Sequence, residues 1–285
     1  MQNATLPSVD PLAKIRKWEP VVVPVLFDTP HGVRSSKRGK VVYRSDTMDA
    51  VGIAGPRMHV VKHAEICSLY DELIQRKIVG DIRCGEFDGG GMIWIQGKPQ
   101  GGSLEIIPGH KLEANLTLCD AYDGSLSLAL VETATNIVCM NTFMRAHRSG
   151  KGFKLRHTGK IEERFQECVR AIRASVDNFQ KDVETFRSLA KTKVEFSAWK
   201  AMLDEFFPLP TENESERENV QDTRNRLSQI YEQAPGAMPG TRYGMYQATT
   251  YWLTHERGRP ANRIESNLIG ESARMNRKFL DYMLN

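Results

Sequence analysis

Between Arg145 and Lys160 the chain reads Arg-Ala-His-Arg-Ser-Gly-Lys-Gly-Phe-Lys-Leu-Arg-His-Thr-Gly-Lys, six Lys or Arg and two His without one carboxylate. The chemistry this composition offers is capture of a polyanion, because cations that neutralise phosphates release counterions and supply affinity of no particular sequence preference. Candidate phosphate contacts are Arg145, Arg148, Lys151, Lys154, Arg156 and Lys160, with His157 among them and Phe153 as a base-stacking platform inside the same stretch. Thr158 precedes a long helical pattern, so free amides at that helix start add donors to an anion site. The bland alternative is a solvated basic loop with Thr158 as an ordinary cap.

Bond-making chemistry finds less support. His157 and Cys139 are a base and a thiol with no spacing that brings them together. Asp120 and Asp123 in Asp-Ala-Tyr-Asp-Gly suit a hairpin turn better than a cation site. Glu162 and Glu163 are adjacent and point different ways on a helix. The five cysteines are scattered, without a Cys-x-x-Cys, which argues against structural zinc. The expectation is therefore no catalytic residue, no metal and no cofactor.

The elements that must position the basic stretch can be read from hydrophobic period. Ahead of it, Leu112, Ala114, Leu116 and Leu118 alternate with polar residues as in a half-buried strand, and Leu126, Leu128 and Leu130 form the return. Residues 81–87 and 92–98 flank Asp-Gly-Gly-Gly and read as an earlier hairpin. Behind it, Ile172, Val176, Phe179, Val183 and Phe186 recur at three and four residues, a helix seam that wants a helical partner within the chain. Phe196 to Phe207 supplies such a face and stops at Pro208. Another amphipathic stripe runs from Ile66 to Ile78 and ends near Gly80.

At 285 residues, 40% hydrophobic and 26% charged, the chain is ordinary for a folded protein. No apolar run approaches the length of a membrane span, and the N-terminus lacks a secretory layout, so a cytoplasmic location is expected. The net charge of +4 is small but unevenly placed. Lys14 to Arg44 holds eight basic residues against two acidic, and Asp204 to Asp222 seven acidic against one basic.

Several stretches resemble one family. Asn136-Ile-Val-Cys-Met-Asn-Thr followed by Phe153-Lys-Leu-Arg-His-Thr-Gly-Lys-Ile-Glu-Glu-Arg is similar to a family of phage- and plasmid-encoded proteins catalogued as a domain of unknown function. His59-Val-Val-Lys-His-Ala-Glu, Gly240-Thr-Arg-Tyr-Gly-Met-Tyr-Gln and Arg263-Ile-Glu-Ser-Asn-Leu-Ile-Gly extend the resemblance from about position 59 onward. Gln247 stands where many relatives have Asn, and the proline-rich N-terminal arm has no counterpart in the pattern. The resemblance implies a mobile-element protein near replication and recombination functions, and with that a nucleic-acid partner. It carries no catalytic residue to transfer.

The combined expectation is an α+β protein, an antiparallel β-meander packed on helices with a mostly helical C-terminal half. Its organisation is expected as an irregular proline-rich arm over 1–60, an α+β core with the basic motif and long helix over 61–207, and a helical region over 208–285. Its expected function is binding of single-stranded nucleic acid in phage or plasmid DNA metabolism, in the manner of single-strand annealing recombination proteins. The alternative is an interaction protein that inhibits or redirects a host factor such as a defence component. A second copy of the chain and a host protein are further candidate partners, and no membrane is expected.

Overall fold

The computed structural model describes residues 10–123, 129–136, 141–144, 153–154, 161–268 and 270–285. The fold class is α+β with antiparallel sheets and a mostly helical C-terminal half, as the sequence pattern implies. Two compact units interleave along the chain. The first takes Met1–Gln100, Asn115–Glu132 and His147–Ser175, and the second Gly101–Ala114, Thr133–Ala146 and Val176–Asn285.

In the first unit, α1 (Ala13–Arg16) leads into β1 (Pro20–Thr29), β2 (Gly32–Arg44) and β3 (Ala50–Ala54), which form an antiparallel sheet in that order. The segment expected to be irregular is thus largely extended. Its β-branched runs, Val21 to Val23 and Val41 to Val42, outweigh the prolines. Pro24 is tolerated because β1 is an edge strand, where a missing N–H leaves no ladder partner wanting. The basic stretch Arg34 to Lys40 lies within β2.

Helix α2 (His63–Gln75) buries Ile66, Cys67, Tyr70 and Leu73 on one stripe. Its first amides are satisfied from outside the helix, with the Glu19 carboxylate accepting from His63 N and Ala64 N at 2.8 Å each. Strands β4 (Val79–Phe87) and β5 (Met92–Pro99) form the expected hairpin, and its turn carries positive φ at Asp88, Gly89 and Gly90. The larger sheet continues through β6 (Ser103–Ile107), β7 (His110–Ala121), β8 (Ala129–Asn136), β9 (Asn141–Met144) and β10 (Phe153–Lys154). Its order is β10-β8-β7-β5-β4, with β6 beside β7 and β9 beside β8. The first unit's core joins Leu12, Ile15 and Trp18 to the α2 stripe and to Ile93, Ile95, Leu116 and Leu118 of the sheet.

The second unit is built from the later part of α3 (Ile161–Lys191) with α4 (Phe196–Phe206), α5 (Glu214–Gln233), α6 (Arg242–Tyr251), α7 (Arg263–Leu268) and α8 (Glu271–Leu284). Phe179, Val183 and Phe186 of α3 share one core with Trp199 and Met202 of α4, the partner the seam required. Trp199 lies flat on Tyr231 of α5 at 4.4 Å and donates to Ser228 Oγ at 3.0 Å. Helix α5 begins at Glu214, where Asn213 caps it by accepting from Glu216 N at 3.1 Å. Among the described residues no helix is long and apolar enough to cross a membrane.

Candidate nucleic-acid interface

Of the residues expected to bind phosphate, Arg145, Arg148, Lys151, Arg156, His157, Thr158 and Lys160 lie outside the described residues. Phe153 and Lys154 form β10, paired with Leu130 and Ala129 of β8. The described residues hold a second basic element, the paired strands β1 and β2. Strand β3 pairs with β2 only from Lys40 to Tyr43, so beyond that point the ribbon is two-stranded.

Register gives this ribbon its chemistry. Pro24 pairs with Lys40 but Leu26 pairs with Ser35, so Val25 alone stands opposite Ser36, Lys37, Arg38 and Gly39. Such a bulge bends the strand and re-aims its side chains. Lys37 and Arg38 are exposed there, and Arg38 N donates to Ser36 Oγ at 3.0 Å within the bulge. Nearer the tip, Phe27 stands directly opposite Arg34, which puts an aromatic ring 49% exposed and a guanidinium on one face. Leu26 and Val33 alternate onto the other face. The tip is closed by Thr29 Oγ1 donating to the Gly32 carbonyl at 2.7 Å, with Gly32 at φ +98. Among the described residues Arg34, Lys37, Arg38 and Lys40 have no ion-pair partner, and the only carboxylate on the ribbon is Asp28.

The ribbon is rooted by Arg44 at the end of β2. Its guanidinium donates to both Asp46 oxygens at 2.9 and 3.0 Å, to Glu86 Oε2 at 2.9 Å and to the Gly89 carbonyl at 3.0 Å. It also lies 4.4 Å above the Trp18 ring, whose Nε1 donates to the same Glu86 oxygen at 3.0 Å. Gly90 is required beneath it, since a Cβ there would stand 2.8 Å from an Arg44 nitrogen and 2.9 Å from Trp18. Hydrogen bonding to Asp46 raises the Arg44 pKa and holds the Asp46 carboxyl below its ordinary value. Arg44→Ala is expected to cost about 2 kcal/mol in urea unfolding. That is less than a fully buried pair, because Glu86 is 39% exposed and rehydrates. Lys at this position does not restore the loss, having no fork to bridge three acceptors.

Two buried groups near this root look like chemistry and act as structure. His63 is fully buried, and its Nδ1 faces two acceptors, the Ile15 and Trp18 carbonyls at 3.0 and 2.6 Å. Nδ1 therefore carries the proton, and Nε2 accepts from the Tyr122 hydroxyl at 2.5 Å. Burial lowers the His63 pKa, which keeps the ring neutral for both roles. The pair ties α1, α2 and the end of β7 together. A Cβ on Gly52 of β3 would meet the Tyr122 carbonyl carbon at 2.6 Å, so this joint is close-packed from that side too.

Asp120, expected in a hairpin turn, belongs to β7 opposite Ile93 and is 1% exposed. The ladder runs three pairs past Leu118, and the second of them carries Asp120 onto the inward face with Leu116 and Leu118. Its Oδ1 has no hydrogen-bond partner among the described residues, and burial pushes the carboxyl up to about 7. Burial likewise pushes the Cys67 and Cys119 thiols up to about 12, far from a reactive thiolate. Among the described residues no cluster of His, Cys, Asp and Glu could hold a metal ion.

The Arg44, Trp18 and Glu86 network has no linear signature, since its members are distant in the chain. Asp120 had one, because the two-residue period of 112 to 118 continues to 120 and 122.

Residues 50–278 match the family described as "Domain of unknown function (DUF932)". Comparison with curated proteins and with solved structures gives no match. The match runs from β3 to Lys278 within α8, and leaves out the ribbon.

Proposed function

The chain belongs to the DUF932 family, and from that premise we propose that it binds single-stranded nucleic acid, as a mobile-element DNA-metabolism protein that anneals or protects strands without making bonds. The observation that carries the reading is the bulged basic ribbon with Phe27 beside Arg34. Unpaired cations track a phosphate backbone, and an exposed ring gives an unstacked base a face to lie on. A duplex hides its base faces, so the ring favours single strands over double. The basic stretch 145–160 adds charge to the same task. The mobile-element setting rests on the sequence resemblance, and the annealing role on that setting and on a fold-level analogy of hairpins followed by helix.

The test is titration into labelled single- and double-stranded oligonucleotides over a range of salt, followed by addition of the complementary strand. Tighter binding to single strands is expected, with log K falling against log salt at a slope of about −3 from the four ribbon cations alone and steeper if 145–160 joins in. No binding to either form at low salt, or preference for duplex, would overturn the reading.

A second reading, docking on a host protein, is favoured by one observation. The first turns of α5, 214–219, are exposed on every side and carry Glu214, Glu216 and Glu218. In the same titration that reading expects no oligonucleotide binding at all.

A further inference from the structure

The second unit contains a cleft of about 1000 Å³ between α4, α6 and α8, large enough for a small organic ligand. We infer that it is a binding site for a nucleoside phosphate. This goes beyond the ribbon and does not depend on it.

Three chemical provisions converge there. The first is cationic. Arg274 and Lys278 lie four residues apart on α8 and so share one face, both exposed and without an ion-pair partner among the described residues. Like charges so placed repel by a few tenths of a kcal/mol, a cost that a bound anion removes. Arg242 of α6 adds a third cation, held at the wall by donating to the Met283 carbonyl at 2.9 Å.

The second provision is a wall for a flat apolar body. Met275 and Phe206, both half-buried, line the cleft, and a thioether adapts to a ring and packs well on its edge. Tyr282 stands edge-on to Phe206 at 5.5 Å and presents a further aromatic surface.

The third is a pair of acceptors. Glu205 and Asp281 line the cleft with no ion-pair partner among the described residues, whereas Glu271 is engaged by Arg257 at 2.9 Å. Two carboxylates beside unpaired cations disfavour an anion that brings no donor of its own. They call for a ligand that also carries N–H or O–H donors. Phosphate, planar base, and exocyclic amine or ribose hydroxyl supply the three complements in one molecule. Inorganic phosphate lacks the second, and a free nucleoside lacks the first.

Isothermal titration of the full chain with AMP, UMP, adenosine and inorganic phosphate separates these cases. Saturable binding of a nucleoside monophosphate is expected, with adenosine and inorganic phosphate each at least about tenfold weaker. Arg274→Ala with Lys278→Ala, both on the surface, is expected to weaken the nucleotide about tenfold or more at an unchanged melting temperature. Absence of saturable nucleotide binding up to millimolar concentration overturns the assignment. So does inorganic phosphate binding as tightly as the nucleotide, or unaltered nucleotide binding by the double variant, since capture by the ribbon alone gives that last result.

Discussion

Replacing Arg34, Lys37, Arg38 and Lys40 together by Ala is expected to weaken single-strand binding by about 10²- to 10³-fold near 0.1 M salt. Each phosphate contact on a single strand releases about 0.7 counterion, which is worth about 0.7 log unit at that salt, so four contacts set the upper figure and partial engagement the lower. The slope of log K against log salt should fall by about 3 in the same variant. Stability should stay within about 0.5 kcal/mol, because Arg34, Lys37 and Arg38 are exposed and the four make no ion pair among the described residues. Phe27→Ala separates stacking from charge. It should cost about 1–3 kcal/mol of affinity while leaving the salt slope unchanged. If the four-residue variant binds as the parent does, the ribbon is not the site, and the load falls on 145–160.

The ribbon also shows what sequence reading catches and what escapes it. Elements whose signal is local were legible: the alternation of 111–118 became β7, the glycine turn at 88–91 became the β4–β5 hairpin, and the seam ending at Phe186 became α3 with α4 as partner. The arm was misread because its evidence conflicts locally. Pro24 and Pro30 argue for loop, and only pairing with β2 decides for strand, a contact whose cost and gain lie outside any short window. The bulge at 36–39 is invisible for the same reason, being a property of two strands in register. Arg44 meets Glu86 across 42 positions and Trp18 meets it across 68, so no motif spacing could announce the root of the ribbon. Of the basic stretch, the described residues show only the two-residue strand Phe153–Lys154. The family match from residue 50 takes in the basic stretch and leaves out the ribbon. Variants of the two elements therefore distinguish an activity carried by the matched part from one carried outside it.

Asp120→Asn is expected to turn a pH-dependent stability into a flatter one. In the folded chain burial pushes the Asp120 carboxyl from 3.8 up to about 7, whereas in the unfolded chain it titrates near its ordinary value. The folded state thus holds a proton that the unfolded state has released. Stability from this group is complete below about pH 4, falls as pH rises through the window up to about 7, and levels off once both states are ionised. A shift of about three units corresponds to about 4 kcal/mol lost across that window. Asn does not titrate. The group left facing the orphan position is a buried N–H in the variant and an O–H in the protonated parent, so that penalty is similar in both and cancels. His63, whose lowered pKa costs stability as pH falls below 6.5, is common to both proteins and cancels too. Urea unfolding at pH 4, 6 and 8 should therefore find the two nearly equal at pH 4 and the variant ahead by about 4 kcal/mol at pH 8. Parallel curves across that range would mean that the ionised Asp120 carboxylate is held in the folded chain by more than its hydrogen bond with the Ala121 backbone, and that Oδ1 is not left without a partner.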